Sequence, residues 1–528
     1  MLMKEIPTEM SGYPIGQQDF KTLRERGAIY VDKTEFIHKI VESDSHYYFL
    51  ARPRRFGKSL FLSALRYFFQ GERELFKGLY IDSTDWQWEE YPVLYLDLNR
   101  DRYAEKGKLD DVLDRLFREW EERYGVEVKD YSYSQRFATI IESAHKKTGR
   151  QVVVLVDEYD KPLVGNLNKQ EMFGYYRMQL ASIYSNFKSS AEHLRLVFLT
   201  GVSRFSKLSV FSDLNNIRDI SFSDEYADIC GITENDLHKY FKTGIATYAD
   251  REGISYEEAC AELKINYDGY CFSRSGSDIY NPWSVLNAMQ ESLIEDYWVR
   301  TGTPTIIAEV LRDRDVDVEK ILNTECRLDL LQGLDLSNAD PLALLYQTGY
   351  ITIKGYDRST RLYRLGVPNR EVSRGLFNEL LPYYVNTARD DAKTVASDIL
   401  TNILKGEPSK LMKNIDIFLG GIPYGMKMEN ENNFHNAVYI LLRLIGAQVE
   451  TEVMTSDGRM DLLIRTGKFI YIIELKYGRD AETALSQIEE KEYFISFLND
   501  PRPIFCIGAN FNPLTRRLDA PAIEEIKK

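Results

Sequence analysis

The sequence predicts an α/β protein in three parts, and three patterns carry that prediction. The first part alternates short apolar runs with amphipathic segments, as expected for a parallel sheet flanked by helices. The second part is mostly helical, and the third combines helices with strands that are joined by short turns. From the points where the pattern changes, we place the domains at 1–222, 223–390 and 391–528.

Bulk composition narrows the class of protein. A chain of 528 residues is too long for one hydrophobic core, and its 44% hydrophobic content can fill several. The net charge of −14 excludes a protein that coats nucleic acid through a generally basic surface, but not a local phosphodiester site. The five scattered cysteines lack zinc-ligand spacing and indicate reduced thiols and a cytoplasmic location. No uncharged apolar run reaches about 18 residues, so we expect no membrane span.

Four apolar runs in the first part are predicted strands. They cover residues 47–51, 93–98, 151–156 and 194–200. Helical spacing predicts helices over 59–69, 109–124 and 134–147. The third strand is β-branched and nearly uninterrupted by polar residues, which is typical of a strand buried on both faces of a parallel sheet.

A phosphate-binding loop is predicted between the first strand and the helix that follows it. Gly57, Lys58 and Ser59 supply a flexible turn, an ammonium group for the β- and γ-phosphates, and a hydroxyl for Mg²⁺ at a helix N-terminus. The standard pattern has a glycine five residues before Gly57, where this chain has Arg52. We therefore expect Pro53 to set the turn.

Other charged residues complete the expected ATP site. Arg54 and Arg55 either contact phosphate or pair with carboxylates of this acidic chain. At the end of the third strand, Asp157 would hold Mg²⁺ and Glu158 would orient the attacking water; the alternative is that they cap the next helix. Arg204 would stabilise transition-state charge, in cis or from a neighbouring subunit of a homo-oligomer, unless it is an ordinary surface arginine.

The middle part is predicted to be helical, ending in a hairpin. Helices are expected over 235–248, 256–263 and 341–348, followed by strands at 350–353 and 361–365. Asn281 and Pro282 are typical of the start of a further helix. A helix followed by a hairpin is typical of a winged-helix element, and a plain spacer domain is the alternative.

A second cluster of charged residues is predicted in the third part. Helices are expected over 432–445 and 483–498, and strands over 448–453, 460–465, 469–477 and 504–508. Because residues two apart on a strand share one face, Glu474 and Lys476 project together while Leu475 packs behind them. Asp461 lies on the preceding strand of the same hairpin and is expected to join them.

This cluster predicts a magnesium-dependent phosphodiester hydrolase. The two carboxylates are hard ligands for Mg²⁺, and Lys476 would orient or deprotonate the attacking water. Glu431, at the start of the preceding helix, is a further candidate ligand, and Gln487 on the following helix is a further catalytic candidate. The alternative is an ordinary salt bridge between Glu474 and Lys476. We interpret His435 as a packing residue on a helix face.

Together these motifs resemble a bacterial family that joins an AAA-ATPase-like domain to a C-terminal nuclease of the PD-(D/E)XK superfamily. The matching stretches span nearly the whole chain and are 13–16, 19–20, 30–34, 52–59, 156–160, 200–205, 267–270, 280–284, 458–461 and 474–476. The resemblance implies a P-loop (RecA-like) ATPase core and an α/β nuclease core, with ATP and Mg²⁺ as cofactors. It assigns nucleotide roles to Lys58, Ser59, Asp157 and Glu158, and nuclease roles to Asp461, Glu474 and Lys476.

We therefore expect an ATP-binding and ATP-hydrolysing protein coupled to a magnesium-dependent DNA endonuclease, acting in defence or in mobile-element biology. The alternative is a nucleotide-dependent sensor or scaffold that binds nucleic acid with little catalysis, which the missing loop glycine and the net charge favour. We expect DNA rather than RNA as the partner, although chemistry directed at the phosphate backbone does not distinguish them.

Overall fold

The computed structural model describes residues 12–127, 131–166, 169–203, 217–301, 321–322, 324–332, 340–384, 398–420, 431–444, 448–455 and 458–526. The chain divides into two compact units, Met1–Arg300 with Glu325–Asn369, and Thr301–Thr324 with Arg370–Lys528. The three domain boundaries drawn from the sequence stay a prediction. Within the described ranges, no helix is long and apolar enough to cross a membrane.

The first unit is built on a five-stranded parallel sheet, in the order β2-β3-β4-β1-β5. The strands are β1 (Tyr47–Ala51), β2 (Val93–Asp97), β3 (Val152–Asp157), β4 (Leu194–Gly201) and β5 (Arg218–Asp219). All six residues of β3 are buried, as its apolar sequence predicts. Because the strands are parallel, the loops that follow β1, β3 and β4 meet at one edge of the sheet. The predicted α/β class is confirmed, and β5 was not predicted.

The first unit also contains fourteen helices in its described residues. They are Phe20–Glu25, Thr34–Glu42, Lys58–Phe69, Lys108–Tyr124, Tyr133–Thr148, Lys161–Val164, Gln170–Tyr184, Asn186–Ser189, Glu234–Tyr240, Lys242–Glu252, Tyr256–Tyr267, Pro282–Glu291, Leu328–Gln332 and Pro341–Thr348. The single helix predicted over 235–248 is wrong, because Phe241 leaves helical geometry with φ −118° and separates two helices.

A small antiparallel sheet follows in the same unit. Its strands β6 (Glu325–Cys326), β7 (Thr352–Asp357) and β8 (Leu362–Gly366) lie in the order β6-β8-β7. The predicted helix and hairpin are confirmed, with the turn shifted to follow Asp357. Whether they act as a winged helix or as a spacer stays a prediction.

The second unit contains a six-stranded mixed sheet, in the order β13-β12-β11-β10-β9, with β14 paired to β12. The strands are β9 (Gln448–Thr455), β10 (Gly458–Arg465), β11 (Ile470–Tyr477), β12 (Ile504–Asn512), β13 (Arg517–Leu518) and β14 (Ala522–Ile526). Its helices are Arg370–Tyr384, 398–405, Pro408–Gly420, Glu431–Leu444 and Ala481–Glu490. β11 pairs antiparallel with β10 and parallel with β12.

The last of these helices is shorter than predicted. It ends at Glu490 rather than at residue 498, and Glu492 then adopts φ +49°, which turns the chain away. Apolar side chains of this helix, β11 and β12 pack into one core that includes Ile472, Ile488 and Cys506. The helix therefore lies directly on the strand that carries the predicted carboxylate–lysine pair.

Candidate functional sites

The phosphate loop begins where β1 ends and leads into the helix Lys58–Phe69. Gly57 has φ +95°, a conformation that a residue with a Cβ rarely adopts, so glycine is required at this turn. Lys58 is only 4% exposed, and its Nζ donates hydrogen bonds to the carbonyl oxygens of Arg52 (2.8 Å) and Pro53 (3.0 Å). Burial lowers the pKa of Lys58, and the nearby carboxylate of Glu158 opposes this effect. The loop thus encloses an ammonium group.

Arg52, at the position where the standard loop has glycine, is a structural residue. Its guanidinium donates to the carbonyls of Ser221 (2.7 Å) and Tyr226 (3.2 Å) and lies 4.4 Å from the Phe272 ring centre. Burial lowers the pKa of Arg52. The backbone at Arg52 has no positive φ, so this turn does not need the freedom of glycine.

The two other loop arginines differ in their surroundings. Arg54 is half-buried, and its carbonyl accepts a hydrogen bond of 3.1 Å from Trp298 Nε1. Arg55 is exposed, has φ +68°, and places its guanidinium 4.0 Å from the Trp283 ring centre. Arg54 and Arg55 therefore add two positive charges to the loop that carries Lys58.

The predicted magnesium pair of the nucleotide site is brought together. Asp157, 3% exposed at the end of β3, accepts a hydrogen bond of 2.6 Å from Thr200 Oγ1. Burial raises the pKa of Asp157, and hydrogen bonds from Thr200 and Ser59 oppose that rise. The strand carboxylate therefore contacts the hydroxyl of the phosphate loop, as a shared Mg²⁺ requires.

Glu158 follows with φ +51°, and its carboxylate forms an ion pair of 3.5 Å with Lys161. The next helix, Lys161–Val164, has Asp160 at its N-cap and no side-chain cap hydrogen bond. The helix-capping alternative for Asp157 and Glu158 therefore finds no support.

Asp160 is a residue that sequence reasoning passed over. It is 1% exposed and accepts hydrogen bonds from the N–H groups of Val202 (3.1 Å) and Ser203 (2.6 Å), which fixes the segment after β4. Burial raises its pKa, and the bond from Ser203 opposes that rise. Its place three residues after Asp157 was the available signal. Arg204, the next residue after this segment, lies outside the described residues.

This arrangement fits a nucleoside triphosphate with a divalent cation. Arg54, Arg55 and Lys58 give the loop three positive charges, and the Ser59 hydroxyl with the Asp157 carboxylate offers hard oxygen ligands. Because Lys58 is bonded to uncharged carbonyls, its charge remains available to an anion.

The carboxylate–lysine site lies on β10 and β11 of the second unit. Glu474 is 1% exposed and accepts hydrogen bonds from Lys476 Nζ, at 2.8 Å, and from Gln487 Nε2. Burial, followed by the negative charge of Asp461, raises the pKa of Glu474 to about 7, and Lys476 opposes that rise. Since Lys476 is itself only 13% exposed, the pair is not an ordinary surface salt bridge.

Asp461 joins this pair across the hairpin. Its N–H donates to Glu474 Oε2 at 3.4 Å, and its own Oδ2 accepts from the Leu475 N–H at 2.8 Å. The side chain of Asp461 is 20% exposed, so the cluster reaches solvent on this side. Four residues predicted from the sequence, Asp461, Glu474, Lys476 and Gln487, are thus brought together.

His435 also reaches the site, although the sequence interpretation left it out. Its Nε2 lies 3.9 Å from Asp461 Oδ2, and this buried nitrogen has no hydrogen-bond partner among the described residues. His435 follows Glu431 by four residues on the helix Glu431–Leu444, and that same-face spacing was the missed signal. Glu431 is the first residue of this helix, and its side chain lies outside what the structure describes.

Gly508 on β12 is a further residue that sequence reasoning missed, after Asp160 and His435. It is the register partner of Glu474, and a Cβ there would lie 2.2 Å from the Ala481 carbonyl oxygen and 2.4 Å from the Leu485 nitrogen. Only glycine lets the helix Ala481–Glu490 pack this closely on the sheet, and this packing brings Gln487 to Glu474.

The donor set fits a divalent cation. Two carboxyl groups lie beside one ammonium group, and burial together with Asp461 raises the pKa of Glu474, so a bound cation would stabilise the charged form of Glu474. In the described part of the chain, no three His, Cys, Asp or Glu side chains are already placed to hold a metal. An ion would therefore be held by Asp461 and Glu474 with backbone oxygen and water, a coordination that suits Mg²⁺.

Comparisons with known proteins identify two domain types in this chain. Residues 14–211 match the family described as a predicted AAA-ATPase, and residues 429–520 match the PD-(D/E)XK nuclease superfamily. The chain is also similar to a protein of Azotobacter chroococcum mcd 1, described as an uncharacterized protein in the vnfD 5' region. The two are 33% identical over 527 residues, which cover 97% of this chain and 99% of that protein.

Proposed function

Because this chain belongs to the family that joins a predicted AAA-ATPase domain to a C-terminal PD-(D/E)XK superfamily nuclease, we propose that it binds and hydrolyses ATP and cleaves DNA with Mg²⁺. The observation that carries the proposal is the convergence of Asp461, Glu474 and Lys476 within the matched nuclease region. A cytoplasmic location and a role in defence or mobile-element biology are parts of the same proposal.

At the nucleotide site, each residue has a role that follows from its position. Lys58 would contact the β- and γ-phosphates. It would give up its hydrogen bonds to two loop carbonyls and gain stronger ones to the charged phosphate oxygens. Ser59 and Asp157 would hold the Mg²⁺ ion, which neutralises phosphate charge when it is bound. Glu158 would accept a hydrogen bond from the attacking water and orient it.

At the nuclease site, Asp461 and Glu474 would hold the cation, which stabilises the pentavalent charge when it is bound. Lys476, 2.8 Å from Glu474, would position the water that attacks phosphorus. Gln487 donates to the same oxygen of Glu474 as Lys476 does, Oε1, and this contact fixes the orientation of the carboxylate. DNA is the proposed substrate over RNA, and a homo-oligomer is required only if Arg204 acts in trans.

The test compares wild type with Lys476→Ala, using Lys468→Ala as control because Lys468 is an exposed lysine of the preceding turn. Both are incubated with ATP and Mg²⁺ against linear, circular and single-stranded DNA and against RNA, and the products are sized. We expect Lys476→Ala to abolish cleavage, by about a thousandfold or more, while ATP binding is unchanged. Cleavage that survives in Lys476→Ala would show that the site is assigned wrongly.

The same protein preparations distinguish the proposed enzyme from the alternative, a sensor or scaffold. Its support is the missing loop glycine and the net charge, and the contacts of Arg52 give the first of these a structural explanation. Phosphate release measured with and without DNA decides the matter: ATP binding without turnover, together with DNA binding without cleavage, would favour the scaffold.

A further inference from the structure

Trp283 belongs to the motif at residues 281–284, for which neither proposed activity supplies a role. Asn281 caps the helix Pro282–Glu291, which sets Trp283 in its first turn. The guanidinium carbon of Arg55 lies 4.0 Å from the centre of the Trp283 ring. The motif therefore places an aromatic face against a residue of the phosphate loop.

The contact holds a long cation in one place. A guanidinium over an indole ring is attracted by about 0.5–1 kcal/mol at an exposed site. Arg55 has φ +68°, a conformation that costs free energy for a residue other than glycine. The surroundings of the loop, including Trp283, must therefore compensate that cost.

The residues on either side of Arg55 are held by the same later segment. Trp298 Nε1 donates a hydrogen bond of 3.1 Å to the carbonyl of Arg54. The ring of Phe56 packs edge to face on Tyr270 and Phe272, with centroid distances of 4.7 and 5.3 Å. Three consecutive loop residues are thus braced by aromatic side chains that come about 200 residues later in the chain.

Arg55 also feels the negative charge of Glu158, the carboxylate expected to orient the attacking water. Partial burial lowers the pKa of Arg55, and the negative charge of Glu158 opposes this lowering. The same carboxylate acts in the same sense on Lys58. The cation bound to Trp283 therefore shares the electrostatic environment of the catalytic groups.

We propose that Arg55 is a catalytic arginine of ATP hydrolysis, contacting the γ-phosphate, and that Trp283 is its positioning residue. The inference rests on the proposed ATPase function. An arginine at the developing charge of a transferring phosphoryl group accelerates the reaction by about a thousandfold or more in P-loop enzymes. A guanidinium already held beside the loop loses less conformational freedom when ATP binds, so Trp283 lowers the cost of placing it.

The test is a double-mutant cycle on the full-length protein. Turnover at saturating ATP and the Kd for ATP are measured separately for wild type, Arg55→Ala, Trp283→Ala and the double variant. We expect Arg55→Ala to lower kcat about a hundredfold or more, and Trp283→Ala about tenfold, with smaller changes in Kd. The double variant should be no worse than Arg55→Ala, and Trp283→Phe should regain most of the turnover because a phenyl ring also attracts the guanidinium.

Fluorescence gives a readout that is independent of turnover. ATP should change the tryptophan emission of the wild type as the guanidinium engages phosphate. The change should be smaller in Trp283→Phe, where only Trp298 still contacts the loop, and kept in full in Trp86→Phe, since Trp86 packs on Phe68 away from the loop. This comparison also tests the proposal if Trp283→Ala does not fold.

Four results would overturn the inference. These are an unchanged kcat in Arg55→Ala, an additive loss in the double variant, a Trp283→Phe variant as slow as Trp283→Ala, and an ATP-dependent emission change that is undiminished in Trp283→Phe. The first three assume that the wild type hydrolyses ATP, and the fourth assumes only that it binds ATP. A wild type without turnover would instead overturn the proposed ATPase activity, and this inference with it.

Discussion

The two candidate sites each combine a buried lysine with two carboxylates, yet their charges are arranged for opposite ligands. Lys58 is bonded to uncharged backbone carbonyls, whereas Lys476 is bonded directly to the Glu474 carboxylate. The loop around Lys58 carries two further arginines, and the pocket around Lys476 carries a second carboxylate, Asp461. The first site is therefore prepared for an anion and the second for a cation.

This difference shows that the groups bonded to a lysine indicate the ligand of a site better than the presence of the lysine does. An ammonium group whose acceptors are neutral keeps a full charge to offer to phosphate. An ammonium group that neutralises half of a carboxylate pair leaves one negative charge for a metal ion. The two sites also differ in how they are supported, because Arg52 reaches Ser221 and Tyr226, far along the chain, while the nuclease cluster is built within one sheet and one helix.

The difference in support predicts the largest effect, at Arg52. Arg52→Gly would restore the standard loop pattern but leave several buried carbonyls without donors, so we expect unfolding of the first unit to become easier by about 4 kcal/mol. ATP affinity should not improve. Chemical denaturation measures the change, with Arg118→Gly as a control for glycine at an exposed arginine, which should cost only about 1 kcal/mol. If Arg52→Gly were as stable as the wild type, Arg52 would have no structural role.

At the nuclease site, the residue that supports the cluster as Arg52 supports the phosphate loop is Gly508. Gly508→Val would push the helix Ala481–Glu490 off the sheet and destabilise the second unit by about 3 kcal/mol, and cleavage should fall because Gln487 no longer reaches Glu474. Gly467→Ala is the matched control, since its Cβ would meet nothing within 4 Å. Equal thermal stability of the two variants would contradict this packing.

Lys58→Met tests the difference in charge between the two sites, because it keeps the length of the side chain and removes its charge. We expect ATP affinity to fall about a hundredfold, since a charge-assisted contact to phosphate is lost, while divalent-cation binding at the nuclease site stays unchanged. Titration calorimetry with ATP and with Mn²⁺ measures both. Lys77→Met, at an exposed lysine, should bind both ligands like the wild type.

The smallest expected effect is a pH dependence of the second unit. Glu474 has its pKa raised from 4.5 to about 7 by burial, so between these values the folded state binds more protons than the unfolded state. Stability is therefore greatest at low pH in this window and falls by about 2 kcal/mol from pH 5 to pH 7. Denaturation in EDTA measures this loss. The decline should be absent in Glu474→Gln, and a decline that persists there would come from another group.

Much of the fold followed from the sequence because periodicity is a local property. The four predicted strands of the first sheet lie where expected, and the two-residue spacing of Glu474 and Lys476 was enough to place both on one face. Helix ends were less predictable. The helix predicted to reach residue 498 stops at Glu490, where the N–H groups of Glu492 and Tyr493 turn back to the carbonyls of Glu489 and Ile488. Such an end usually has glycine at the position with positive φ, and Glu492 in its place gives no signal in the sequence.

The sequence by itself determined the types of chemistry: a Gly-Lys-Ser turn before a helix, a carboxylate pair at the end of an apolar strand, and an acidic–lysine hairpin. The tertiary structure alone decided which other residues serve them. His435 reached Asp461, Gly508 admitted a helix, and Trp283 met Arg55 across more than 200 residues. Spacing fixes which side chains share a face, because backbone geometry repeats over a few residues. Contacts between distant segments depend on how whole elements pack, and no local spacing carries that information.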